Sequence, residues 1–198
     1  MKKYIFAALA LPALLSWASA ETYKADPAHS AVTFKVAHMG ISRVEGRFDK
    51  FTAAMDYVPG KPALWKAEAS IETASINTNE PDRDKHLRSP DFFDVDKFPA
   101  MTFKSVKFTG VKGMKGKLHG ELTLRGVTKP VVLDVEASGP VKDPWGSMRM
   151  AATATGSVNR KDFGMVWNKV LDSGGFLVGD KVDITLELEF VQDKPAAK

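Results

Sequence analysis

The stretch "KVDITLELEFV", Lys181 to Val191, decides the architecture. It places Val182, Ile184, Leu186, Leu188 and Phe190 on one face and Asp183, Thr185, Glu187 and Glu189 on the other. A period of two belongs to a strand with one dry and one wet face; a helix would scatter the same residues around its circumference. Working outward, the pattern recurs in "AVTFKVAH" (Val32, Phe34, Val36, His38), "KLHGELTLRG" (Leu118, Leu122, Leu124) and "KPVVLDVEA" (Val131, Leu133, Val135). Weaker versions occupy Val44 to Tyr57, Leu64 to Ile76, Met101 to Phe108 and Met148 to Val158. With turn signals at Pro59-Gly60, Gly113, Gly126, Gly139-Pro140 and Gly174-Gly175 between them, the chain predicts about eight strands.

No sustained helical period competes with this pattern, and most connections are short, as antiparallel neighbours require. The fold class is therefore all-β, an antiparallel barrel or sandwich. One segment stands apart. Just ahead of "RDKHLRSPDFFDVDKFP", Arg83 to Pro99, Asn79 is placed to cap a short helix whose first turn holds Glu80, Pro81 and Asp82. Lys85, His86 and Arg88 suit its last turn by complementing the macrodipole, and Pro90 stops it. A short helix and loop across one end of the strands is the expectation.

The N-terminus sets the compartment. Lys2 and Lys3 precede an apolar stretch from Tyr4 to Trp17, then Ala18-Ser19-Ala20, the pattern of a secretory signal peptide over residues 1–20. The expected mature domain is 21–198, exported. No cysteine is present, so neither disulfides nor thiol chemistry can contribute, and the domain must rely on its core. The formal net charge of +4 becomes +2 without Lys2 and Lys3. The remaining Lys and Arg alternate with Asp and Glu, which is a solvated surface and not a nucleic-acid footprint.

A membrane barrel would turn polar residues inward, yet eight strands enclose too little space for so many charges. Apolar-in, polar-out is the consistent assignment. Ala67, Ala69, Gly120, Ala152, Ala154 and Gly156 fall at predicted inward positions, and such small linings leave room for a channel. Full interdigitation into a packed sandwich is the alternative that composition leaves open.

Four blocks carry a resemblance. "DPAHSAVTFKVAHMGISRVEGRF" (Asp26 to Phe48), "RDKHLRSPDFFDVDKFPAMTF" (Arg83 to Phe103), "GELTLRGVTKPVVLDV" (Gly120 to Val135) and "NRKDFGM" (Asn159 to Met165) are similar, in this order, to the signatures of the YceI-like family. The resemblance implies an extended eight-stranded antiparallel lipocalin-like barrel with a short helix and loop as lid. It also implies an apolar channel for a long amphiphile, a polyisoprenoid or isoprenoid quinone, in the bacterial periplasm. On that reading the channel wall is expected to include Phe34, Val36, His38 and Phe48 from the first strands, and Ala69, Ile71 and Phe103 from the next. Leu122, Leu124, Met150, Ala154 and Leu186 continue it. Phe92, Phe93 and Phe98 plug it from the lid, and Phe163, Trp167 and Phe176 stand at its mouth.

Polar chemistry is sparse. His86 with Arg83, Asp84, Arg88 and Asp91 is the densest polar group, expected to pin the lid by ion pairs. A hydrolase would use His86 as base, but no serine or cysteine nucleophile stands in a recognisable context beside it. The four histidines lie nine, forty-eight and thirty-three positions apart, without metal-ligand pairing. The expected function is a periplasmic, non-enzymatic carrier of a polyisoprenoid lipid, with no cofactor and no metal, compatible with transient contact with a membrane surface. Two alternatives remain: an enzyme acting on such a lipid through His86 or His38, and a packed sandwich that serves as an interaction module.

Overall fold

The computed structural model describes residues 20–172 and 174–193. Apart from Ala20, the expected signal peptide lies outside the described residues. Strands β1 (Glu21–Ala25), β2 (Ala31–His38), β3 (Ser42–Phe48), β4 (Phe51–Tyr57), β5 (Lys66–Glu72) and β6 (Ile76–Asn77) precede one helix, α1 (Pro81–Arg88). Strands β7 (Ala100–Lys112), β8 (Lys115–Leu124), β9 (Val127–Lys142), β10 (Met148–Asn159) and β11 (Val178–Gln192) follow.

The pairing closes these segments into an antiparallel barrel of eight long strands. β4, β5, β7, β8, β9, β10 and β11 pair in succession, and β1 joins β4 on one side and β11 on the other. Closure leaves this ring without a free edge. The segments outnumber eight because three strands are interrupted along their length. β1 and β2 both run along β11, β3 and β4 continue one path, and so do β5 and β6. Thus the runs Val44 to Tyr57 and Leu64 to Ile76, each expected as one strand, are broken at Asp49-Lys50 and at Thr73–Ser75.

Each interruption has a local cause. Pro27 has no N–H to give to a ladder, and the Asp26 carboxylate accepts from Ala28 N, turning the chain between β1 and β2. The other two breaks satisfy each other: Ser75 O accepts from Asp49 N, Ser75 Oγ accepts from Lys50 N, and Lys50 O accepts from Glu72 N.

Two apolar clusters fill the ends. Val32, Phe48, Ile76, Leu124, Phe163 and Met165 gather at the end that α1 crosses, with Leu87 and Phe93 packed against them. Tyr23, Met55, Tyr57, Met150 and Phe190 close the opposite end, with Trp65 and Met114 beside them. The Tyr23 hydroxyl donates to Glu21, and burial followed by that carboxylate pushes its phenol up to about 12, so it stays neutral.

α1 starts one residue later than expected. Glu80 is the cap, its carboxylate accepting from Asp82 N and Arg83 N, while Asn79 takes a left-handed turn at φ 60°.

Candidate functional site

Between the two clusters lies a cavity of about 250 Å³, walled almost entirely by apolar groups. Alternation supplies the wall. On β5, Ala67, Ala69 and Ile71 turn inward while Lys66, Glu68 and Ser70 are exposed. On β11, Val182, Ile184, Leu186, Leu188 and Phe190 face it.

Most of the sequence-predicted lining residues are on this wall: Phe34, Val36, Phe48, Ala69, Ile71, Phe103, Leu122, Leu124, Ala154 and Leu186, with Phe92 and Phe93 entering from the lid. Five are not. His38 ends β2, opposite Ser42 and Val178, beyond the cavity. Met150 and Phe163, each 2% exposed, are consumed in the packing of the end clusters. Trp167 sits outside, edge-on to His86 at 4.7 Å and against Phe92. Phe176 is exposed, beneath Lys161 Nζ at 5.6 Å from its ring centre.

Parity reasoning missed Trp65 and Phe108, whose rings stack at 5.8 Å on the wall. Trp65 shares the parity of Ala67 and was legible. Phe108 was hidden by an irregularity between Ser105 and Lys107 that shifts the register, so Met101 and Phe103 face inward at odd positions but Phe108 at an even one.

The small inward residues do not all create space. The alanines do, but a Cβ on Gly46 would lie 2.3 Å from the Phe34 ring, and one on Gly120 2.4 Å from the Phe103 ring. Leu133 similarly covers Gly156 at 2.7 Å. Gly46 and Gly120 let aromatic rings, and Gly156 a leucine, lie against the wall, so the room comes from side chains laid aside and not from bare backbone.

The lid is held differently from the expected ion-pair network. Among its five polar residues only His86 and Asp91 pair as acid and base, Nε2 to Oδ2 at 2.9 Å. Asp84, buried, accepts from Thr78 N and Thr78 Oγ1, and Arg83 donates to Thr78 Oγ1 and Thr78 O. Arg88 donates to the carbonyls of Ala74 and Ile76. The physical reason is that, around the two-residue pairing of Ile76 and Asn77 with β3, the chain from Ala74 to Thr78 has backbone groups without a ladder partner, and these are what the helix side chains satisfy. Phe98 also departs from the expected plug: it covers Gly126 outside the barrel, with Lys97 Nζ 5.2 Å from its ring centre.

Arg160 lies in the "NRKDFGM" block, but the sequence reading gave it no role. It is 3% exposed beside the cavity, donating to the carbonyls of Gly179, Met165, Trp167 and Val178 and to Asp180 Oδ1. Burial lowers its affinity for the proton, with Asp180 opposing. Because its acceptors are mostly main-chain oxygens, no pairing pattern in the sequence marks this role. It ties the segment after Phe163 to the start of β11.

A second polar knot lies on the outer surface, where β1 gives way to β2. Arg149 donates to Asp143, Asp26 and Glu189 at 2.8, 3.1 and 2.6 Å. Asp26 is pulled down to about 2 by hydrogen bonds from His29, then Arg149 and Ala28 N. Asp143 is also lowered, Arg149 first among its causes. Asp26, His29 and Glu189 offer ligand atoms within 4.8 Å of one another, but the Arg149 guanidinium already donates to both carboxylates there.

The YceI-like domain family matches residues 23–190. The chain belongs to the YceI-like family. A UPF0312 protein of Shewanella baltica strain OS195 is 41% identical over 169 residues, covering 83% of this chain and 88% of that protein. Among solved structures, a YceI protein of Campylobacter jejuni superposes with a TM-score of 0.68 at 33% identity, over 81% of this chain and 91% of its own. A polyisoprenoid binding domain from Saccharophagus degradans, implicated in plant cell wall breakdown, gives a TM-score of 0.61 at 14% identity, over 86% and 98%, and so shares the fold. The YceI-like barrel was thus correctly expected from the four sequence blocks. No helix among the described residues is long and apolar enough to cross a membrane.

Proposed function

We propose that this YceI-like protein is a non-enzymatic carrier that holds a polyisoprenoid lipid, a polyprenyl quinone or polyprenyl precursor, in its barrel, and that it works in the periplasm after export. The observation that carries the reading is the cavity itself: about 250 Å³ with an almost wholly apolar wall, in a fold where two packed sheets would leave none. Water gains little from such a wall, whereas burying isoprene methyl and methylene groups contributes about 0.8 kcal/mol per carbon-sized group. The name of the Saccharophagus degradans domain supports the same ligand class. His86 supports carrying over catalysis, since it is engaged by Asp91, Phe92 and Trp167 on the outer side of the lid and is absent from the cavity wall.

The test is native mass spectrometry of the protein purified from the exported fraction, followed by solvent extraction of whatever it releases. A polyprenyl compound at near one-to-one ratio is expected. A protein that carries none and takes up no added polyprenyl quinone overturns the reading.

A further inference from the structure

Resting on that reading, we infer that the channel selects polyisoprenoids whose head group is uncharged and rejects their phosphorylated counterparts. The argument is an inventory of what a head group would meet inside. The charged residues of β5 beside the cavity, Lys66 and Glu68, belong to its exposed face, as does Ser157 on β10. Thr33, at a position between the inward Val32 and Phe34, gives its hydroxyl to Thr185 O of the neighbouring strand. Among the described residues that leaves one cation against the wall, Arg160.

A guanidinium has five N–H donors. Arg160 Nε, Nη1 and Nη2 make five bonds, four to backbone carbonyls and one to Asp180, so a phosphate would have to displace a bond for every one it formed. Among the described residues no buried side-chain nitrogen or oxygen lacks a partner, so no other group stands ready for an anion. At the far end Tyr23 is 0% exposed and its hydroxyl is committed to Glu21, which adds negative charge there. At the lid end the cavity meets Leu87, Phe92, Phe93 and Met165. Burial of an ionised group without a compensating partner is strongly unfavourable, whereas a hydroxyl or quinone carbonyl loses far less.

The experiment titrates the full mature protein with geranylgeraniol and with geranylgeranyl monophosphate, delivered from the same cyclodextrin, and follows the fluorescence of Trp65 on the wall. The alcohol is expected to bind at least about tenfold more tightly than the phosphate at neutral pH, with Arg160→Gln leaving the phosphate no weaker relative to the alcohol. Equal or tighter phosphate binding overturns the inference, as does phosphate binding that Arg160→Gln selectively abolishes. If neither compound nor a polyprenyl quinone binds, the carrier reading falls and this selectivity with it; binding of both alike removes the selectivity alone.

Discussion

Gly46 shows how a single residue sets the bore of the channel. Its missing side chain is the space into which the Phe34 ring lies, and the nearest atoms an added Cβ would meet are side-chain atoms, Phe34 Cζ at 2.3 Å and Thr78 Cγ2 at 2.8 Å. Gly46→Ala must lift the ring off the wall into the lumen. We expect a destabilisation of about 1–3 kcal/mol in urea unfolding, the cost of overpacking, together with weaker lipid uptake. Phe34→Leu in the same chain should recover part of both, and additive effects in the double-mutant cycle would refute the coupling. Arg160 is the opposite case, a residue whose worth lies in what it satisfies. Arg160→Met removes the side-chain donor from the carbonyls of Gly179, Met165 and Trp167, while Val178 O keeps Asn168 Nδ2 and Asp180 keeps Lys161, and a loss of about 3–5 kcal/mol is expected; a loss below about 1 kcal/mol would refute this account. Neither role was legible. Periodicity tells which way a residue points, not which neighbouring ring lies over it or which carbonyls a charged group will find.

Elements were legible where alternation was strict. β11 and β2 emerge as read from "KVDITLELEFV" and "AVTFKVAH", because a single dry face leaves no other register. The breaks in β1/β2, β3/β4 and β5/β6 were not, since each depends on bonds to a neighbouring strand or turn. The first break carries a pH signature. Asp26 sits at about 2 in the folded protein, below its ordinary 3.8, so it stabilises the fold fully above about pH 4, and that contribution is lost as pH falls through 2. Thermal unfolding between pH 5 and 2 should therefore fall less steeply in Asp26→Asn than in the unaltered protein, the variant having already lost the contribution at pH 5. Parallel curves would show that the knot around Arg149 contributes nothing.

At the scale of the whole molecule, alternation with small inward residues left a channel and a packed sandwich equally open, and the four family blocks, not the periodicity, favoured the channel. The cavity's alanines give a direct check on its use. Ala154→Phe places a ring in the lumen from a wall position that is 6% exposed, so lipid uptake should disappear while the folded barrel persists with a Tm within about 5 °C. Uptake at the original affinity would mean that lipid binds elsewhere. One asymmetry of the barrel bears on how such a cargo gets in and out. Its first three long strands are interrupted side by side, whereas β7 to β11 run unbroken, β9 over 16 residues and β11 over 15. The continuous part is a trough and the interrupted part a jointed cover. Amide protons of β2, β3 and β6 should exchange with solvent faster than those of β8 to β10, and, on the proposed carrier role, loading with lipid should slow the first group most, as a barrel whose traffic is timed by its seams requires.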